Sequence, residues 1–257
     1  YTRRALTEVM LDSSGDGDGR LVPKKSGLFG RRTATEFDAA LLAFHGYQGE
    51  DGQIQGLFEM AGIPYTGMRT LASAAFMDKS VTKRLLAGHD IPQLDCVVLR
   101  RPGEGVMMSG TALAEAVGNA KFPACVKPCH LGSSISVAKV DDMEELREVL
   151  PSIFRLDPMA IMEPFVPNLV EYNVAVATFD GAIRTSAIER PKRSAELLDF
   201  KEKYMSGGGG KKGGGKAPGA VSEGMLSLTR DINLELPADL EANIRNWAGE
   251  AFAAVGG

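Results

Sequence analysis

Apolar and polar positions alternate in short blocks along this chain, and the blocks switch repeatedly between a strand period and a helical one. FDAALLAFHG, Phe37 to Gly46, is an apolar run closed by glycine, the pattern of a buried parallel strand. In GQIQGLFEMAG, Ile54, Leu57, Phe58 and Ala61 fall at helical spacing and Gly62 ends the run, which predicts a short amphipathic helix. IPYTG then reads as a brief strand or extended turn, so strand, helix and strand make one βαβ unit. Thr70 to Gly88 is rich in helix formers, with Asp78 and Lys79 near its middle or at a break. Further on the pattern predicts a strand at Leu94 to Leu99, a helix at Thr111 to Ala120 and a hairpin-like strand pair across Ala124 to Val140. DDMEELREVLPSIF is helical, with Pro151 expected to end or kink it. MAIMEPFV is a strand, and EYNVAVATFDGAIRTSAIER is a hairpin turning at Asp180-Gly181. PADLEANIRNWAGEAFAAVG closes the chain as a helix with Pro237 near its first position and Gly256 just past its end.

Two stretches break the pattern. Residues 12 to 27, DSSGDGDGRLVPKKSG, carry too little apolar surface for a core element and read as loop. Lys203 to Gly219 holds seven glycines between Gly207 and Gly215, whose ordering costs on the order of 1 kcal/mol per residue or more. Composition alone allows a plain linker there. Lys203, Lys211, Lys212 and Lys216 add phosphate-seeking charge, which favours a mobile flap.

Composition narrows the classes of function. A length of 257 residues allows one large or two moderate lobes, and 44% hydrophobic with 24% charged residues is the balance of an ordinary globular protein. The net charge of -4 argues against binding to nucleic acid, and no apolar run approaches a membrane span. Cys96, Cys125 and Cys129 are too few for a disulfide framework, which points to a reducing, cytoplasmic location. The chain opens on Tyr1 rather than Met, which fits a fragment or a processed product.

Three constellations carry chemistry. HGYQGEDGQIQG puts His45 at a strand's carboxyl end ahead of a helix, where open α/β sheets bind ligands and helix N–H groups meet anions. His45 can bond a carboxylate or an amine, or it can be structural; Glu50 and Asp51 can simply cap the helix, worth about 0.3 to 1 kcal/mol. FPACVKPCHLGSSISVAKV ends an apolar strand in Lys127 and follows it with a Gly-Ser-Ser loop, a cation beside hydroxyls and N–H groups able to wrap polyphosphate. A buried lysine needs an anionic partner, while an edge lysine does not. The loop lacks the Walker pattern, and Cys125, Cys129 and His130 lack a fourth ligand for a metal. MEPFVPNLVEYNV sets Glu163 and Glu171 around Phe165 and Val166, a step suited to adenine with a carboxylate for ribose; solvated strand-end glutamates are the alternative.

Taken in order, HGYQGEDGQIQGLFEMAGIPYTGMRTLASAAFMDK, VKPCHLGSS, EPFV and DFKEKYMSGG resemble the D-alanine–D-alanine ligase family over nearly the whole chain. GIPYTG, LASAAFMDK and KYMSGG favour it over other ATP-grasp enzymes such as biotin carboxylase or carbamoyl-phosphate synthetases. The resemblance implies an α/β (α+β) ATP-grasp fold preceded by part of a Rossmann-like domain, with the C-terminal part of the large lobe missing. It divides the chain into a partial substrate domain at 1–75, the ATP-grasp small lobe at 76–171 and a partial large lobe at 172–257 containing the flap. The implied reaction uses ATP and Mg2+, or Mn2+, to phosphorylate one D-alanine before a second attacks it, in peptidoglycan precursor synthesis. By motif, Lys79, Lys127 and Ser134 would hold phosphates, Glu163 and Val166 the adenine edge, Phe165 the base and Glu171 the ribose. Lys203 would reach the phosphates from the flap, His45 would meet the first D-alanine, and Ser133 with Tyr204 would link the closed flap. The family's metal ligands fall beyond Gly257, its members commonly form homodimers, and Ser136 stands where the family's loop has glycine. Left open are an inactive nucleotide-binding module and a D-alanine–D-lactate ligase.

Overall fold

The computed structural model describes residues 8–12, 14, 19–24, 33–191, 230–232 and 234–256. The described residues form two compact units divided between Asp78 and Lys79. The expected flap, with Lys203 and Tyr204, lies outside the described residues.

In the first unit β1 (Val9–Asp12), β2 (Gly19–Pro23) and β3 (Thr35–Phe37) form an antiparallel sheet in that order. This corrects the loop expected over residues 12 to 27 at Asp12 and at Gly19–Pro23, residues 13, 15–18 and 25–27 lying outside the described residues: Arg20, Leu21 and Val22 pair with Asp12, Leu11 and Met10. Backbone pairing overrides the turn-rich composition there, because a partner strand supplies the hydrogen bonds that a lone polar segment would take from water. The buried parallel strand expected over Phe37 to Gly46 is also corrected. Strand structure stops at Phe37, Leu41 is 82% exposed, and one parallel bridge, Ala40 to Tyr65, remains. An apolar run specifies burial only where neighbours cover it, and Leu41 and Phe44 have no such cover.

Helix α1 (Gln53–Ala61) fits its periodicity at three of the four expected positions: Phe58 and Ala61 are buried, Ile54 packs beside them, Leu57 at the stripe's edge is exposed, and Gly62 ends the helix in the left-handed region. It starts at Gly52, whose φ is 90° and where a Cβ would meet the Thr70 carbonyl at 2.7 Å, so both conformation and space require glycine. The helical stretch after Thr70 is broken at Asp78, giving α2 (Thr70–Met77) and α3 (Lys79–Leu86).

The second unit is built on a four-stranded antiparallel sheet of β4 (Val97–Arg100), β5 (Ala124–Pro128), β6 (Ala138–Val140) and β7 (Met159–Pro164), in the order β4-β7-β5-β6. Helices α4 (Gly110–Val117) and α5 (Met143–Phe154) pack against it. The core is one-sided. Ala124, Val126, Val140, Ala160 and Met162 face Leu113, Val117, Leu146, Leu150, Ile153 and Phe154, all at most 2% exposed. Strand alternation therefore sends Cys125, Lys127, Lys139, Ile161 and Glu163 to the opposite face.

Helix α5 begins at Asp142, whose carboxylate accepts from the backbone N–H of Glu144 and Glu145 at 2.9 Å, a cap worth about 1 kcal/mol. It runs through Pro151 instead of ending there, because Ile153 and Phe154 beyond the proline are wholly buried. The expected hairpin follows as β8 (Val176–Phe179) and β9 (Ala182–Thr185), with Asp180 and Gly181 both at positive φ. β10 (Glu189–Pro191) pairs with β11 (Arg230–Ile232), and α6 (Ala238–Ala254) packs on β8 and β9, tied by Arg245 to Thr185 at 2.7 Å. Pro237 sits at the N-cap, one position before the expected one, and Gly256 past the helix end has φ 75°.

Candidate nucleotide site

The polar face of the four-stranded sheet gathers unlike charges in a small space. Glu163 stands opposite Cys125 in the β5–β7 register, so Lys127, two residues along β5, is its diagonal neighbour on the same face. The Glu163 carboxylate is 7% exposed. Lys127 Nζ meets one of its oxygens, Oε2, and Lys83 Nζ from α3 lies 2.5 Å from the other, Oε1. Burial pushes the Glu163 carboxyl up, but the hydrogen bonds and charges of Lys127 and Lys83 outweigh it and hold the group below the usual carboxylate range. Burial raises the Cys125 thiol, with Lys127 opposing it, and raises the Cys96 thiol, with Lys83 opposing.

Lys83 was not anticipated from the sequence. The available signal is its spacing: once a helix starts at Lys79, position i+4 puts Lys83 on the same helical face. Lys79 itself donates from Nζ to the carbonyls of Leu131 at 2.7 Å and Cys129 at 3.4 Å, and its backbone N–H bonds the Cys129 carbonyl at 3.1 Å. These bonds tie the start of α3 to the loop between β5 and β6.

That loop is a tight curl. Ser133, Ser134 and Ser136 have φ of 52°, 54° and 56°, and Ser136 is buried. A curl of left-handed residues is the backbone form of anion-holding loops. Ser136, a non-glycine residue, keeps the positive φ at a cost of about 1 kcal/mol. Asp157, 2% exposed, holds the start of the loop: it accepts from the backbone N–H of His130 at 2.7 Å and of Met159 at 2.8 Å, and pairs with His130 Nδ1 at 2.9 Å. His130 is thus engaged with a buried carboxylate, and among the described residues no three His, Cys, Asp or Glu side chains gather to hold a metal ion.

At the far end of β7, Phe165 donates its N–H to Pro123 at 2.9 Å and its ring lies 5.3 Å from Lys139 Nζ. Phe165 and Val166 are 36% and 38% exposed, an apolar step open to solvent. Beside Lys83 a depression of about 380 Å³ is lined in part by Leu94, Cys96 and Val98. Lys127 and Glu163 are thus brought onto one sheet face, with Phe165 and Val166 just past the end of β7 and Lys79, Ser133 and Ser134 on the α3 helix and the β5–β6 loop. Glu171 is exposed, on the segment after β7. His45, in the first unit, is exposed ahead of α1; Glu50 accepts from the Gly46 N–H at 2.5 Å, and Asp51 from the N–H groups of Gln48 and Gln53 at 2.8 and 3.1 Å. Glu50 thus fastens the turn, and Asp51 reaches the first N–H of the helix.

An antiparallel sheet with α4 and α5 on one face and a lysine-carboxylate cluster on the other has the form of an ATP-grasp lobe. VanG D-Ala:D-Ser ligase from Enterococcus faecalis shares the fold, with a TM-score of 0.70 over 99% of this chain and 64% of that one at 24% identity. D-alanine–D-alanine ligase from Bacillus anthracis complexed with ATP matches with a TM-score of 0.59 over 85% of this chain and 60% of that one, at 27% identity. In sequence, the family model of the D-ala D-ala ligase C-terminus matches residues 85–218 and that of the N-terminus residues 7–68. D-alanine–D-alanine ligase of Campylobacter concisus is 37% identical over 179 residues, 70% of this chain and 47% of that protein. The chain belongs to the D-alanine–D-alanine ligase family. It spans about half the length of the first curated relatives it matches. No helix among the described residues is long and apolar enough to cross a membrane.

Proposed function

We propose that this chain serves the ATP-dependent joining of two D-alanines, with the lysine-carboxylate face as its nucleotide site. The observation that carries the reading is Glu163 held between Lys83 and Lys127 on the sheet face opposite the core, with the Ser133–Ser136 curl following the strand that bears Lys127. In this reading a carboxylate oxygen of the first D-alanine attacks the γ-phosphorus of ATP and ADP leaves, giving an acyl phosphate. The amine of the second D-alanine attacks the acyl carbon, phosphate leaves, and the nitrogen gives up a proton. Lys79 and Lys127 hold phosphate oxygens, Ser133 and Ser134 support them from the loop, Phe165 stacks on adenine, Glu163 and Val166 meet its edge, and Glu171 takes the ribose. Lys203 joins the phosphates, Tyr204 and Ser133 link the closed flap, and His45 meets the first D-alanine. Magnesium or manganese would neutralise charge on the transferred phosphoryl group when bound. The cationic work assigned to this chain is that of its lysines.

The domain reading proposed with it assigns 1–75 to substrate binding, 76–171 to the small lobe and 172–257 to part of the large lobe. A cytoplasmic homodimer making peptidoglycan precursors is the setting. The direct test is titration of the chain with ATP by calorimetry, wild type against Lys127→Met. Loss of a charge-assisted phosphate contact should weaken binding by roughly ten- to a hundred-fold. Equal affinity in both proteins, or none in wild type, overturns the reading. Acceptor choice is read from D-alanine, D-lactate and D-serine as second substrates, following phosphate release.

A further inference from the structure

Resting on the ATP-site reading, a second demand is made of Lys127. It touches Glu163 in this structure, yet in that reading its charge is needed at the phosphates. If it turns away, a carboxylate only 7% exposed must keep another cation or lose its charge. Lys83 is placed to be that cation. It holds Oε1, the oxygen that Lys127 does not touch. Its ammonium is fixed by a second bond, 2.6 Å to the Leu94 carbonyl, and its own carbonyl accepts from Gln93 Nε2 at 3.2 Å. The Lys83 side chain is also the less exposed of the two lysines, 19% against 28%. One lysine is anchored, the other is freer to change partner.

We propose that Lys83 is a specificity-determining positioning residue, which keeps Glu163 a charged acceptor when Lys127 engages phosphate, so that the site takes a 6-aminopurine nucleotide and rejects a 6-oxopurine one. A carboxylate offers only acceptors. An exocyclic amine satisfies it, while a 6-oxo group sets acceptor against acceptor and leaves both unpaired. Without Lys83, a Glu163 abandoned by Lys127 takes up a proton, becomes donor as well as acceptor, and no longer distinguishes the two edges. The groups facing Glu163 are Lys83 from α3, Lys127 and Cys125 from β5, and Cys96 ahead of β4, with Lys139 next in the row on β6. Of these, Cys125 and Cys96 are thiols that burial pushes further from ionising, and Lys139 is paired with Asp141 at 2.5 Å.

The experiment measures equilibrium binding of ATP and ITP to the whole chain, as wild type, Lys83→Met and Lys83→Arg, from pH 5.5 to 8. Wild type should prefer ATP. Lys83→Met should lose about tenfold of that preference by weakening ATP while leaving ITP nearly unchanged, with the loss greatest at the acid end. Lys83→Arg should restore most of it, and a Lys83→Gln variant guards against misfolding of the methionine one, with thermal melts as the control. If Lys83→Met and Lys83→Gln weaken ATP and ITP equally, or change neither, the proposal is overturned while the ATP reading stands. If wild type binds no ATP, the reading beneath it falls, and the proposal with it.

Discussion

Replacing Glu163 with glutamine tests the energetic centre of the sheet face. The change keeps the side chain's shape and removes one charge, leaving Lys83 and Lys127 confronting each other across a neutral amide that can accept from only one of them. Breaking a fully buried ion pair by deleting one partner costs about 3–5 kcal/mol. Here the lysine side chains are 19% and 28% exposed and their long stems can carry the ammonium groups toward water, so about 2 kcal/mol is the expected loss. The assay is urea unfolding followed by circular dichroism near neutral pH, repeated toward acid. Since the folded carboxyl titrates below its unfolded value, its contribution is complete above the unfolded pKa and disappears as pH falls through the lower folded one. The gap between wild type and E163Q should therefore be constant at neutral pH and close only below about pH 4. Single Lys83→Met and Lys127→Met changes should each cost about 1 kcal/mol, and the pair together more than their sum, because only the double variant strands the carboxylate. A loss under about 0.5 kcal/mol for E163Q, or strict additivity of the two lysine changes, would refute a three-group cluster.

Other features make independent tests. Asp157→Ala leaves the backbone N–H groups of His130 and Met159 without their carboxylate, so it should cost about 2–4 kcal/mol and speed hydrogen exchange at those two amides. Slow exchange there in the variant would argue against Asp157 as the loop's anchor. Ser136→Gly relieves a positive φ and should raise stability by up to about 1 kcal/mol in chemical denaturation; a destabilised variant would mean that the buried Ser136 hydroxyl matters more than the backbone. Leu99→Ala opens a cavity in the middle of the core and should cost about 3 kcal/mol, read as an earlier urea midpoint with an unchanged slope.

The second unit was largely legible because its strands alternate cleanly. Ala124, Val126 and Pro128 against Cys125 and Lys127 fix one face of β5 as core, and the same period through β7 puts Glu163 on the other. The helices before and after carried their own caps and apolar stripes, as did α1 with its terminal glycine. Errors fell where a segment's state depends on distant partners. Leu41 and Phe44 are apolar without being covered, Arg20 to Val22 are polar-flanked yet paired, and α5 passes Pro151 because Ile153 and Phe154 are held by the core.

Local sequence therefore determined the element types of the second unit, the family, and the presence of Lys127 and Glu163 along one strand pair with Phe165 and Val166 just past its end. Tertiary structure alone decided that Lys83, far along the chain from Glu163, completes the cluster, and that Lys79 clasps the loop carbonyls. It also decided that Asp157 reaches back to His130. The physical reason is range. Periodicity and capping act within a few residues and can be read from order, whereas charge pairing follows distance in space, which the fold sets only when sheet register and helix packing are both in place.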